Sequence, residues 1–386
     1  MSEKIPKGWK WVKLGEVVRN VSETYSFDDD NDEVVFLNTS DIYAGKVINH
    51  KKFRVKDLPG QAKKKILKND LLFSEIRPAN KRYALIDFEP NNYVVSTKLM
   101  VLRCTNKIDS VFFKLFITSE EQLNYLQMIA EDRSGTFPQI TFKQLADIDI
   151  LLPPLPEQKA IADVLSSLDD KIDLLHRQNK TLEEMAMTLF RQWFIDPTKD
   201  GLPDGWEEVS LGEIIEISSG KSIEKGKLKE KGLYPVLGAN GEIGRTDDWL
   251  YEGELIYTGR VGTLGNVFIV FKNEKVWLTD NTLVIKPKKN EYFYFVYFTL
   301  KNAKLDEYNS GSTQPLIRQS DIKKIEIFLP KINFLKDFEV ISRNLFTKIQ
   351  FNTSQIQTLE KLRDTLLPKL MSGEVRVKVE NNEIKG

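Results

Sequence analysis

The sequence predicts an α+β chain: two homologous α/β globular units separated by two long antiparallel coiled-coil helices, the halves forming an internal pseudo-twofold repeat. Three observations carry this. A heptad seam runs through 153–193, where Ile161, Leu165, Leu168, Ile172, Leu175, Asn179, Leu182, Ala186, Leu189 and Trp193 are spaced alternately four and three apart. That spacing lets two helices pack along their length. A second seam, offset by 177, runs through 330–370, and what precedes each seam occurs twice in the same order.

The first unit opens with Pro6, Gly8, Trp9, Val12, Leu14, Gly15 and Glu16, and the second with Pro203, Gly205, Trp206, Val209, Leu211, Gly212 and Glu213, an offset of 197 throughout. Further in, 69–74 matches 253–258 at 184, 95–102 matches 278–285 at 183, and Phe112, Phe113 and Phe116 match Tyr294, Phe295 and Phe298 at 182. Gly135, Thr136 and Pro138 with Leu145, Ile148 and Ile150 match Ser312, Thr313 and Pro315 with Ile322, Ile325 and Ile327 at 177. Across these matches the offset only falls, as expected if the second unit has shorter loops.

Apolar, β-branched runs bounded by Gly, Pro and Asn predict strands at 34–37, 70–73, 84–88 and 94–102, and at 255–257, 266–271 and 282–286. Segments 110–130 and 291–304 read as one helix per unit. The expected division is a first unit at 1–152, a long helix at 153–196, a second unit at 197–330, a second long helix at 331–373 and a polar tail at 374–386. Pro153, Pro154 and Pro156 suit the entry to the first helix, and Gly373 suits the exit from the second. Ser342 and Arg363 interrupt the second seam, which predicts drift of its contact face toward Ile341 and Leu362. A twofold axis near the helix centres would set Leu175 against Ile356 and Asn179 against Asn352. Two buried asparagines can satisfy each other and fix register; at the seam's edge each would face water instead.

Composition narrows the class. The chain is 41% hydrophobic and 29% charged, with formal net charge zero. No apolar run is long enough to span a bilayer, and MSEKIPKGWKW lacks the apolar core of a signal peptide. The one cysteine, Cys104, cannot form an internal disulfide, and the expected compartment is the reducing cytoplasm. A neutral total argues weakly against a lone nucleic-acid binder, but the charge is uneven. Residues 46–82 carry 12 Lys/Arg against Asp57, Asp70 and Glu75, just after the acidic run Asp28, Asp29, Asp30, Asp32 and Glu33.

The opening P-x-G-W-x-x-x-x-L-G-E, the Gly-Ser/Thr-x-x-P loop and the stretch LPPLPEQKAIADVLSSLDDKID at 152–173, followed by a long helix and all repeated, resemble the specificity subunit of type I restriction-modification systems. The resemblance covers about residues 5 to 373. The second copy departs from it where Lys331, Ile332, Asn333, Phe334, Leu335 and Lys336 replace Pro154, Leu155, Pro156, Glu157, Gln158 and Lys159. The resemblance implies that each unit is a target-recognition domain for double-stranded DNA and that the helices are a spacer. It implies an assembly with two methyltransferase subunits and, for restriction, two motor-nuclease subunits, with no membrane. S-adenosylmethionine, ATP and magnesium would belong to those partners, leaving this chain with no cofactor or metal of its own. Roughly 37 helical residues at ~1.5 Å rise give a rod of ~55 Å. Two unlike units meeting one side of a duplex would read half-sites about one helical turn apart, an asymmetric target with an unread gap of roughly 5 to 8 base pairs. The outer face of the first helix, with Asp169, Asp170, Arg177, Glu183 and Glu184, is the expected methyltransferase contact.

Candidate DNA contacts follow from side-chain chemistry, since Arg and Asn can bond guanine and adenine edges in pairs. The first unit offers Ser74, Arg77, Asn80, Lys81 and Arg82 around a sharp turn at Pro78. The counterpart stretch, read at the same offset as the preceding strand, offers Thr258, Arg260, Thr263 and Asn266 among three glycines. Ser134 and Thr136, with Ser312, Thr313 and Gln314, lie in loops whose hydroxyls and backbone N–H groups suit phosphate or base contact. Lys63, Lys64 and Lys65, with Lys221, Lys225 and Lys227, either touch phosphates or solvate a face.

No catalytic set survives inspection. His50, His176 and Cys104 are too few for a zinc cluster. Ser219, Gly220, Lys221 and Ser222 mimic the end of a phosphate loop, but Ile215 stands where its first glycine belongs. Asp149 with Glu157 and Lys159 superficially resembles a nuclease metal site, yet the last two start a helix after prolines. The rival to DNA recognition is a two-headed coiled-coil scaffold that binds protein only.

Overall fold

The structure, a computed structural model, describes residues 5–27, 32–133, 138–262, 264–308 and 315–378. It forms two compact units, Met1–Asp173 with Gln357–Gly386, and Leu174–Ile356.

In the first unit, Val18–Val21, Leu99–Cys104, Leu71–Ser74 and Tyr83–Leu85 form an antiparallel four-stranded sheet in that order. A second four-stranded sheet runs Lys52–Arg54, Glu33–Leu37, Tyr93–Ser96, Ala62–Lys65, with its central pair parallel. Lys10–Lys13 pairs with Asp149–Leu152. The single strand expected at 94–102 is therefore two, Tyr93–Ser96 and Leu99–Cys104, and each enters a different sheet. The helix expected at 110–130 is also two, Ser110–Ile117 and Glu120–Arg133. Asp109 caps the first by accepting from the amides of Val111 and Phe112, and Thr118 leaves helical geometry at its end.

The second unit repeats these three sheets in the same strand order, without the small hairpin of Ile42–Tyr43 and Lys46–Val47 that the first unit adds. Ile215–Ser219, Thr282–Pro287, Leu255–Gly259 and Val267–Val270 form the antiparallel sheet. Gly241–Thr246, Tyr234–Gly238, Lys275–Leu278 and Tyr251–Glu252 form the other, again with its central pair parallel. Glu207–Ser210 pairs with Glu326–Leu329. Only Leu255–Gly259, Val267–Val270 and Thr282–Pro287 were expected from sequence; Glu207–Ser210, Ile215–Ser219, Tyr234–Gly238, Gly241–Thr246, Tyr251–Glu252, Lys275–Leu278 and Glu326–Leu329 were not.

Strand pairing corrects the repeat register in two places. The parallel pairs Val95 with Leu37 and Leu278 with Leu237 equate Leu37 with Leu237, an offset of 200, so the offset rises before it falls. In the hairpin, Leu102 pairs with Leu71 and Ile285 with Ile256, which equates Leu71 with Ile256 at 185, not with Leu255 at 184. One residue matters because it turns every side chain of a strand to the other face. The cores agree with 185. Leu71 and Phe73 join the large helix-facing cluster with Met100 and Leu102, and Ile256 joins its counterpart with Leu283 and Ile285. Leu255 and Tyr257 lie in the other cluster, as Leu72 does.

The first long helix is Leu155–Phe190 and the second Ile332–Ser372. Within each unit their segments run antiparallel. In the first, Asp169 meets Arg363, and Ile161 and Leu165 share a core with Leu366 and Leu370. In the second, Asn179 meets Asn352 and the Phe190 ring meets Phe338. Asn352 is fully buried and donates to Asn179 Oδ1 (2.9 Å). The expected drift of the second seam does not occur. Ser342 is fully buried near the large Phe338 and Phe346, while Leu362 is 45% exposed. Arg363 stays at the seam because its long stem reaches Asp169 (2.9 Å). Gly373, left-handed at φ +74°, follows the end of the second helix.

Candidate nucleic-acid interface

The first unit's hairpin joins Leu71–Ser74 to Tyr83–Leu85 through a 3-10 turn at Pro78–Asn80. Its base is tied to the segment after residue 137: the Arg77 amide donates to Pro138 O (3.1 Å) and the Ile140 amide to Glu75 O (2.9 Å). Arg77, Asn80 and Lys81 are exposed, and among the described residues no hydrogen bond or ion pair engages their side chains. Arg82 is half-buried. Its guanidinium donates to the carbonyls of Ser40 and Ile42 (3.4 and 3.2 Å) and lies over the Tyr43 ring, so it shapes the hairpin. Ser74 is corrected from a candidate contact to a structural residue: it is 3% exposed, and its hydroxyl is exchanged with the backbone of Ile76. Lys64 is corrected likewise. Strand alternation turns Lys63 and Lys65 outward and Lys64 inward, where it donates to Leu99 O (2.6 Å). Burial lowers its pKa, opposed by the charge of Glu75.

The second unit's hairpin joins Leu255–Gly259 to Val267–Val270 and is tied in the same way. The Gly262 amide donates to Pro315 O (3.0 Å) and the Ile317 amide to Arg260 O (2.9 Å). These bonds match Arg77 with Gly262 and Glu75 with Arg260. Arg77 therefore has Gly262, not an arginine, as its counterpart: the first hairpin puts its arginine two residues further toward the tip than Arg260. Arg260 is half-buried, its Nη1 donates to Ser219 Oγ (3.3 Å), and its buried Nε has no partner. Gln319 donates to the same Ser219 oxygen (3.1 Å). Asn266 is exposed and donates to Asn240 Oδ1 (2.7 Å). Thr258 is corrected to a structural residue, since it is fully buried and donates to Asn266 O (2.7 Å). Lys221, Lys225 and Lys227 are exposed, Lys227 paired with Asp248. Ser134, Thr136, Thr263, Ser312, Thr313 and Gln314, with Asp28, Asp29 and Asp30, lie outside the described residues.

Gln319, Ser219 and Asn240 were not expected in this cluster. Ser219 and Gln319 are 100 residues apart; sheet pairing brings the first to Arg260, and the bond of the Ile317 amide to Arg260 O brings the second.

Of the expected partner-contact residues, Asp170 and Glu184 are exposed, and Arg177 is exposed as well. Two others are half-buried and engaged within the chain. Asp169 is held by Arg363, and Glu183 accepts from the Tyr297 hydroxyl (2.9 Å) and the Lys301 ammonium. Both serve as ties within their own unit while keeping part of their surface exposed.

The proline-rich motif also has a structural purpose. Glu157 is buried, accepts from the Trp9 indole (3.0 Å) and forms a two-pronged pair with Arg376 (2.8 and 2.7 Å). Gln158 donates to the carbonyls of Lys107 and Pro153 and accepts from the Asp109 amide. Asp149 pairs with Lys13 instead (2.7 Å). Among the described residues no group of three or more His, Cys, Asp or Glu could hold a metal ion. In the second unit Phe334 stands in place of Glu157 and meets Trp206 edge-on (6.5 Å).

The duplication extends to family comparison. The family model of the type I restriction modification DNA specificity domain matches twice, at residues 6–184 and 203–361. The chain belongs to this family. The HindI specificity subunit of Haemophilus influenzae is 30% identical over 95% of this chain and 99% of its own. The MjaIX specificity subunit of Methanocaldococcus jannaschii is 32% identical over 64% of this chain and 66% of its own. Among solved structures, a type I restriction-modification S subunit from M. genitalium shares the fold at a TM-score of 0.60, with 17% identity over 96% of this chain and 98% of that one. A chain from a structure of a type I restriction-modification system gives a TM-score of 0.51, with 22% identity over 97% of this chain and 100% of that one. As a type I specificity subunit, the chain is the non-catalytic recognition component. No helix among its described residues is long and apolar enough to cross a membrane.

Proposed function

We propose that this specificity subunit reads an asymmetric bipartite DNA target, one half-site per unit, through the two equivalent hairpins. One observation carries the reading most directly. The same hairpin, anchored by the same backbone bonds, carries Arg77, Asn80 and Lys81 in one unit and Arg260 and Asn266 in the other, where Gln319 from a neighbouring short helix joins Arg260 at Ser219. A shared scaffold with unlike reading groups is what two unlike half-sites require. The long helices set the unread gap, on the order of 5 to 8 base pairs, and carry two methyltransferase subunits, joined for restriction by two motor-nuclease subunits. S-adenosylmethionine, ATP and magnesium act in those partners. Asp170, Arg177 and Glu184 remain the helix groups proposed to face the methyltransferase.

The test is to assemble the chain with its methyltransferase partner and map adenine methylation across a genome, with gel shifts on target and random fragments at moderate salt. The expected result is one asymmetric sequence with a fixed gap, bound far tighter than random DNA. Equal binding to all fragments would instead favour the protein-only scaffold.

A further inference from the structure

The corrected hairpin register exposes a difference between the units. At two equivalent positions both hairpins take left-handed backbone. In the second unit these are Gly262 (φ +84°) and Gly265 (φ +91°). The first unit has Arg77 (φ +45°) and Lys81 (φ +54°) there. The equivalence rests on pairing. Arg77 and Gly262 make the same amide bond to Pro138 and Pro315. Phe73 pairs with Tyr83 and Thr258 with Val267, which sets Lys81 on Gly265. Left-handed backbone is free of strain for glycine and unfavourable for any residue with a Cβ. Asn and Asp tolerate it better than Arg or Lys do.

The first hairpin therefore holds two long cations on the two backbone positions least suited to them. Backbone bonds hold the turn, the Arg77 amide to Pro138 O and the Ala44 amide to Lys81 O, but no described side-chain contact calls for a long cation at either position. Both side chains are exposed, and neither makes a described hydrogen bond, ion pair or ring contact, whereas Arg82 and Ser74 of the same hairpin are both engaged. Strained positions whose exposed side chains are used by nothing described in the chain point to a ligand.

We propose that Arg77 and Lys81 are strained DNA-contact residues of the first unit, Arg77 reading a base edge and Lys81 holding a backbone phosphate. The proposal rests on the DNA reading above. The division of labour follows from chemistry. A guanidinium fork can bond a guanine edge with two parallel N–H groups, whereas an ammonium is a point charge suited to phosphate. The second unit, with glycine at both positions, must take its specificity from Arg260 and its neighbours instead.

The test uses the full chain, alone for melting and assembled with its methyltransferase partner for binding. Arg77→Gly and Lys81→Gly should each melt no lower than the wild type, and the pair should melt about 2 °C or more higher. Arg77→Gly should lower target-over-random preference by roughly 5- to 150-fold, at one position of the first half-site. Lys81→Gly should weaken all sequences alike and reduce the log–log salt slope by about 0.9. Arg77→Asn and Lys81→Asn keep a residue that tolerates the backbone but remove the charge, so they should reproduce the binding losses. Variants that melt lower than the wild type would overturn the strain argument. Unchanged binding, or Asn variants that bind normally while Gly variants do not, would overturn the contact assignment. A wild-type complex with no sequence preference would instead refute the DNA reading itself.

Discussion

Replacing both seam asparagines, Asn179→Leu with Asn352→Leu, should stabilise the second unit. Asn352 is fully buried, and its Oδ1 has no hydrogen-bond partner while its amide donates to Asn179. Removing an orphaned buried acceptor relieves about 1–3 kcal/mol, and the lost amide–amide bond costs about 1 kcal/mol. Burying leucine adds about 1.5–3 kcal/mol at the fully enclosed position, against about 1–3 kcal/mol for fitting a bulkier side chain into a packed seam. The net is a gain of about 1–2 kcal/mol. For a unit of 183 residues, this corresponds to a rise of about 2–8 °C in its melting transition. Differential scanning calorimetry of the full chain resolves it. A double variant that melts at or below the wild type would show that the amide pair contributes more than its orphaned oxygen loses. Analytical ultracentrifugation of the same variant should show more self-association, because a polar seam pair discourages other alignments.

Leu168→Pro places a proline inside the helix Leu155–Phe190, at a cost of about 3 kcal/mol or more. The assembled complex should then lose both methylation of a plasmid target and restriction of unmodified phage; retention of either would contradict the spacer role. The Arg376 guanidinium, aided by the Trp9 indole, holds the Glu157 carboxyl below the usual carboxylate range. A depressed value stabilises the fold above the ordinary carboxylate pKa of about 4.3 and loses that contribution as pH falls through the lower folded value. The wild-type melting temperature should therefore drop more steeply between about pH 5 and pH 3 than that of Arg376→Ala, and parallel curves would refute the latch. Burial, with added repulsion from Asp109 and Asp70, pushes the Cys104 thiol up to about 12. Iodoacetamide at pH 8 should label the folded chain at least ~100-fold more slowly than the urea-unfolded chain, since only thiolate reacts; comparable rates would place the thiol in solvent.

The parts legible in sequence were those with strong periodicity. Both seams follow from apolar spacing and the duplicated order of elements from the repeat, while the pairing of Asn179 with Asn352 needed the further premise of a twofold axis near the helix centres. The face of the hairpin strands did not. All of Leu71–Ser74 and all of Leu255–Gly259 are buried, so neither shows the alternation that fixes strand parity. By residue type the match at 184 even looks better, setting Phe73 on Tyr257 and Ser74 on Thr258, and only the cross-strand bonds choose 185. The short strands of the second sheet were missed because sheet neighbours, not their own residues, hold them extended. Side-chain fates were hardest to read. Ser74, Thr258, Asp169 and Glu183 have the chemistry of surface contacts, and only tertiary placement buries the first two and pairs the last two within the chain. Arg77 and Lys81 were named for charge, but that their backbone is left-handed could not be seen without the turn around Pro78.

The unit encoded first is the last to be completed. Its core includes Leu370, and its motif glutamate waits for Arg376. On a ribosome the 183 residues of the second unit intervene, a delay of roughly 10–40 s at ordinary elongation rates. During that time Ile161 and Leu165 lie beside an unfinished core. The second unit is contiguous and can close as soon as it emerges. A chain that stopped before Leu370 would thus have its second head whole and its first open. Only a chain that reaches Leu370 and Arg376 closes the core that Trp9 and Ile161 begin, so synthesis through that point is a condition for having two folded heads.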